Sequence, residues 1–113
     1  MLLALLLLVG CYDEYDYEDE ILDINCEKWV ECLFYFEDVA ECREKGPVGL
    51  ALVGCEACDF HRSQGRECVG AFEAMTCEEF IRWDRGEVDS PAACSGVFTG
   101  CSAEECAEAD SGR

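Results

Sequence analysis

Cysteine stands at positions 11, 26, 32, 42, 55, 58, 68, 77, 94, 101 and 106, eleven in a chain of 113 residues. A chain this short buries too little apolar surface to dispense with staples, and cysteine at this density points to a disulfide framework formed in an oxidising compartment. An odd count leaves one thiol over. If Cys11 is the residue set apart, the other ten can pair completely, and ten cysteines allow about 945 pairings, so spacing leaves the connectivity open.

The surroundings of Cys11 give it a different task. Residues 2 to 9, LLALLLLV, form an unbroken apolar run that suits the hydrophobic segment of an export signal and falls well short of the roughly 20 residues a membrane-spanning helix needs. The run ends in Leu8, Val9, Gly10 and Cys11, which resembles the lipobox of bacterial lipoproteins. That resemblance implies cleavage ahead of Cys11 and a diacylglycerol on its sulfur. Acyl chains contribute about 0.8 kcal/mol per buried methylene, so two or three of them hold a domain on a membrane. No Lys or Arg precedes the run, and a signal of roughly 15 to 30 residues is usual. Either the true start lies upstream of Met1, which is the favoured expectation, or the signal is degenerate.

Charge narrows the partners. Against 8 basic residues stand 26 acidic ones, a net of −18. Affinity for phosphate backbones comes largely from Lys and Arg, so nucleic acid is excluded as a partner. Cations and basic proteins are the electrostatically permitted direction. Residues 12 to 20, YDEYDYEDE, carry six carboxylates in nine positions. Repulsion and the lack of aliphatic side chains predict an extended acidic spacer there. Acidic tyrosines would also suit sulfation and clustered carboxylates calcium, but no Asp-x-Asp-x-Asp-Gly loop with a Glu at its twelfth position occurs.

Beyond the spacer the pattern is helical. Cys26, Trp29, Val30, Leu33, Phe36 and Ala40 recur at three- and four-residue spacing and predict one helix from about Asp23 to Lys45, stopped by Gly46 and Pro47. The stretch PVGLALVGCEACDFHRS is expected to be helical although Gly49 and Gly54 weaken it. Gln64 and Gly65 read as a break before a short helix RECVGAFEAM. Thr76, Cys77, Glu78 and Glu79 form a capping box for a helix carrying Phe80, Ile81 and Trp83 and ended by Gly86. Ser90 and Pro91 open another helix holding Cys94, Val97 and Phe98, and Ser102 to Glu105 starts a last turn around Cys106. Period-two alternation is nowhere sustained. The expected fold is an all-α, disulfide-stapled bundle of four to five short helices.

The segments LVGC, CEKWVECLFYFEDVAEC, CVGAFEAMTCEEF and ACSGVFTGC together resemble the small cysteine-rich lipoproteins of the myxobacterial type. The resemblance implies a signal segment at 1–10, a lipidated Cys11 with an acidic disordered tether over 11–22, a cysteine-rich helical domain over 23–108 and a frayed tail at 109–113. It implies a bacterial cell envelope location, membrane-anchored and facing the periplasm or the cell surface, and no particular activity. Cys32 to Cys42 and Cys58 to Cys68 are each C-x9-C, a spacing similar to that of the coiled-coil-helix-coiled-coil-helix proteins. A twin C-x9-C hairpin of that kind would join Cys32 to Cys68 and Cys42 to Cys58.

Chemistry-bearing constellations are few. Cys55, Cys58, His61 and Cys68 could supply four zinc ligands, but zinc needs reduced thiolates and an exported chain meets oxidising conditions. Cys55 and Cys58 are read as staples and not as a redox pair, because a thioredoxin-like βαβ setting is absent. His61 is the sole histidine, and no Gly-x-Ser-x-Gly elbow or phosphate-binding glycine loop occurs. The Trp and Phe residues are read as core. The sequence therefore predicts a non-enzymatic, cofactor-free surface module, anchored to the membrane through lipid, with a protein partner of unspecified kind and no small-molecule substrate. Zinc binding and the twin C-x9-C hairpin stand as alternatives.

Overall fold

The computed structural model describes residues 12–46, 53 and 58–101. Its first element overturns the expected tether. Helix α1 runs Glu14–Lys28, through residues predicted to be an extended spacer. Asp13 and Asp16 explain the start: the Asp13 carboxylate accepts from the Asp16 amide at 2.9 Å, and the Asp16 carboxylate accepts from the Asp13 amide at 3.0 Å. Each satisfies a backbone donor that a helix end leaves open, and acids in the first turn complement the helix dipole. Tyr17, Ile21 and Asn25 recur every four residues and are buried, so the carboxylates between them lie on the outer side. Arg43 reaches across from the next helix to the carboxylates of Asp19 and Asp23, offsetting part of their repulsion.

The single helix expected over 23–45 is two. After Lys28 the chain makes a π-helical turn, Trp29–Leu33, and Phe34 ends it with φ 57°, ψ 28°, a left-handed conformation. Asp38 then accepts from the Glu41 amide at 2.8 Å and opens α2, Val39–Lys45. The Cys26–Cys42 bridge draws α2 back onto α1.

Of the stretch expected to form a second helix, 47–52 and 54–57 lie outside the described residues, and Asp59–Phe60 is instead strand β1. Helix α3, Arg62–Glu73, passes directly through Gln64 and Gly65, where a break was predicted. Gly65 serves a close approach: a Cβ there would meet the Tyr17 ring at 3.1 Å and the Phe60 ring at 3.2 Å. The glycine lets α3 lie against α1.

Helix α4, Cys77–Asp84, starts from the Thr76–Glu79 capping box that the sequence announces. Gly86, at φ 74°, follows its end in a conformation that costs glycine little. The helix expected after Pro91 is a 3-10 turn, Ala92–Gly96, followed by strand β2, Phe98–Thr99. Strand pairing explains the short turn, since β2 runs antiparallel to β1 with Asp59 opposite Thr99 and Phe60 opposite Phe98. The expected turn at 102–105 lies outside the described residues.

The fold is thus all-α, with a two-strand ladder pinning its later half. Two aromatic nests sit along α1. Tyr17 meets Phe60 and Phe98, each at 5.7 Å between ring centres. Farther along, Trp29 meets Phe80 at 5.7 Å edge-on, and Trp83 meets Phe72 at 4.8 Å. Fully burying side chains such as Phe72 and Phe80 contributes about 1.5–3 kcal/mol each. The Trp29 indole also donates to Asp84 at 2.8 Å and the Lys28 ammonium to the Met75 carbonyl at 2.7 Å, tying α1 to both ends of α4.

Among the described residues four bridges cross-link these elements: Cys26–Cys42, Cys32–Cys77, Cys58–Cys101 and Cys68–Cys94. Cys32–Cys77 crosses each of the other three in sequence. The pairing implied by a twin C-x9-C hairpin is not formed, because Cys32, Cys42, Cys58 and Cys68 all have other partners. Among the described residues no helix is long and apolar enough to cross a membrane.

Candidate functional site

Two surfaces stand out, at opposite ends of α1. The first surrounds Tyr12. The β ladder directs the chain from Phe60 into His61, whose amide donates to the Val97 carbonyl at 2.8 Å and whose Nε2 lies 2.5 Å from the Thr99 hydroxyl. His61 is also the residue from which α3 starts, without a side-chain cap. The starts of α1 and α3 thereby flank one open recess of about 570 Å³, lined by Tyr12, Asp13, Glu14, Phe60, His61 and Arg62. The Arg66 guanidinium lies 4.7 Å over the Tyr12 ring, a contact worth roughly 0.5–1 kcal/mol at an exposed site. Tyr12 stacks at 6.3 Å on Phe60 and donates its hydroxyl to Glu20 at 3.1 Å.

Partial burial, then the hydrogen bond and charge of Glu20, push the Tyr12 phenol well above its ordinary range. Burial does the same to Tyr17, with Glu18 adding to it, and the Tyr17 oxygen sits 3.6 Å from the Cys68 sulfur. Both phenols therefore keep their protons through the physiological range. They are fixed aromatic walls and not acids.

The second surface is the tip formed by Phe34 and Tyr35, 81% and 60% exposed. The side chains before and after it are held: Cys32 by its bridge to Cys77, and Leu33 and Phe36 by packing against the core. Glu31, Glu37 and Asp38 are exposed around it. A bulky residue in a left-handed conformation is uncommon, and such strain persists only where the surroundings impose it.

No protein-family model, curated protein or solved structure matches the chain.

The zinc alternative loses its ligands. Cys58 and Cys68 are bridged to Cys101 and Cys94, so neither sulfur is a thiolate able to bind a metal, and His61 is committed beside Thr99. Among the described residues no group of three His, Cys, Asp or Glu is arranged around a metal position. Cys11, Cys55 and Cys106 lie outside the described residues. Eight of the ten cysteines expected to pair are thus assigned: Cys26, Cys32, Cys42, Cys58, Cys68, Cys77, Cys94 and Cys101.

The sequence reading missed both surfaces. The carboxylates around Tyr12 and Tyr17 read as a solvated spacer, although the four-residue recurrence of Tyr17, Ile21 and Asn25 carries the helical signal. Nothing in the sequence marks Phe34 and Tyr35, because the apolar pattern on either side of them runs on as if the helix were unbroken.

Proposed function

We propose that the chain is an exported, lipid-anchored surface module of a bacterial cell envelope, working by binding a protein and not by catalysis. The observation that carries this reading is the bridge network, because disulfides of this number persist in oxidising compartments and not in a reducing cytosol. The apolar run ending at Leu8, Val9, Gly10 and Cys11 supports membrane attachment through that cysteine. The exposed Phe34–Tyr35 tip supports a binding role, since aromatic side chains dominate the energetics of protein interfaces. Glu31, Glu37 and Asp38 around it favour a partner surface carrying Lys or Arg.

Intact-mass spectrometry of protein extracted from membranes tests the reading. The expected result is a diacylglycerol on Cys11 and no thiol reactive to alkylation. An unmodified Cys11 in the mature protein overturns the anchor, and several free thiols overturn the oxidised framework.

A further inference from the structure

The folded domain begins one residue after the proposed anchor. Tyr12 already packs on Phe60 and lies beneath Arg66, and Asp13 already caps α1. Consecutive Cα atoms are about 3.8 Å apart, so a lipid on Cys11 emerges at this end of the molecule with no slack between membrane and domain. From this, and resting on the anchored reading above, we propose that the recess around Tyr12 is a membrane-docking face that seats zwitterionic phospholipid headgroups beside the anchor.

Chain geometry names the occupant. The polar layer outside the hydrocarbon core is about 5–8 Å deep on each side of a bilayer. A domain tethered within one residue of its acyl chains must meet that layer, and the surface adjoining the tether is the recess. Its composition fits. Tyr12 and Phe60 form its aromatic wall, and Tyr15, in the same first turn of α1, is 77% exposed; tyrosine is enriched at the depth of lipid headgroups.

Charge is mixed here in a way that the chain as a whole is not. The net of −18 would be repelled by lipid phosphate over most of the surface. At the recess, Arg62 stands against Asp13 and Glu14, and Arg66 lies over the Tyr12 ring that forms its wall. A zwitterionic headgroup such as phosphatidylethanolamine, which carries both signs of charge, meets less repulsion at this mixed surface than at the acidic remainder. The Phe34–Tyr35 tip is then the far pole. The 20 residues of helical and π-helical chain from Glu14 to Leu33 place it roughly 30 Å away, directed off the membrane.

His61 makes the test clean, because it is the chain's only histidine. The full-length lipidated protein is reconstituted into phosphatidylethanolamine–phosphatidylcholine vesicles, and acylation of His61 by diethyl pyrocarbonate is followed by mass spectrometry. The comparator is the same lipidated chain with a Gly-Ser spacer of about ten residues inserted between Cys11 and Tyr12, which adds roughly 17 Å of root-mean-square reach. Docking predicts that His61 reacts severalfold more slowly in the native chain than in the spacer variant, while oxidative labelling of Tyr35 is the same in both. Equal His61 rates, with lipid confirmed on Cys11 in both proteins, overturn the docking face and leave the anchor standing. Protection of Tyr35 in place of His61 also overturns it. Absence of lipid on Cys11 is a failure of the anchored reading itself and is seen in the mass spectrum before any labelling.

Discussion

Phe34 is held at φ 57° with most of its ring in solvent, so the conformation costs free energy that its own packing does not return. A left-handed residue with a Cβ costs about 1–2 kcal/mol, part of which glycine gives back through its larger unfolded-state entropy. Phe34→Gly is expected to stabilise the domain by up to about 1 kcal/mol, read as a rise in the urea midpoint. A fall would mean that the exposed ring packs more than its exposure implies. Asn25 is the reverse case, a polar residue with no exposure whose amide donates to the Ile21 carbonyl at 2.8 Å while its Oδ1 has no partner among the described residues. That orphan acceptor costs stability. Neither feature is visible in a sequence, because both depend on what neighbouring elements do to the residue. Tyr17 is different, since its spacing to Ile21 and Asn25 was legible and only the density of carboxylates around it masked the signal.

At the scale of elements, local chemistry was readable wherever it was self-contained. The Thr76–Glu79 box marks the start of α4 and forms as the sequence announces. The equivalent Asp13–Asp16 box starts α1, and it was missed because aspartate stands where glutamate or glutamine usually does. The break at Phe34 was not legible, because Trp29, Val30, Leu33, Phe36 and Ala40 keep helical spacing across it and tertiary constraint overrides the pattern. β1 and β2 are two residues each and exist only through their pairing. A pH effect belongs to this scale. The Thr76 amide and then its hydroxyl hold the Glu79 carboxyl below its usual value. A depressed folded-state pKa contributes stability above the ordinary carboxylate range and loses it as pH falls through the folded value. Urea midpoints taken from about pH 6 down to about pH 2 should therefore fall more steeply for the native protein than for Glu79→Gln. Parallel curves would show that the box is not what α4 depends on.

Over the whole molecule the decisive quantities are charge and cross-links. A net of −18 pushes the chain apart, and small domains hold only about 5–15 kcal/mol in reserve. The bridges close intervals of 16, 45, 43 and 26 residues, and in the chain-entropy account each contributes about 3–4 kcal/mol. Full reduction should unfold the domain, with loss of the near-ultraviolet circular dichroism of Trp29 and Trp83. Retained signal after complete reduction would place the stability in the aromatic nests instead. Cysteine count made the stapling legible and apolar spacing the helical class, yet the pairing was not, since it follows from which helices meet and not from intervals along the chain.

The crossing of Cys32–Cys77 with every other described bridge has a consequence for wear. Each peptide bond from Cys26 to Cys101 lies inside at least one closed loop. A protease that cuts once anywhere in that span releases nothing. On a gel run without reductant the nicked protein keeps its full mass, and it falls into two pieces only when reductant is added. A protein displayed outside a cell, where peptidases are common and resynthesis is remote, would by this geometry survive its first cut as a single covalent body.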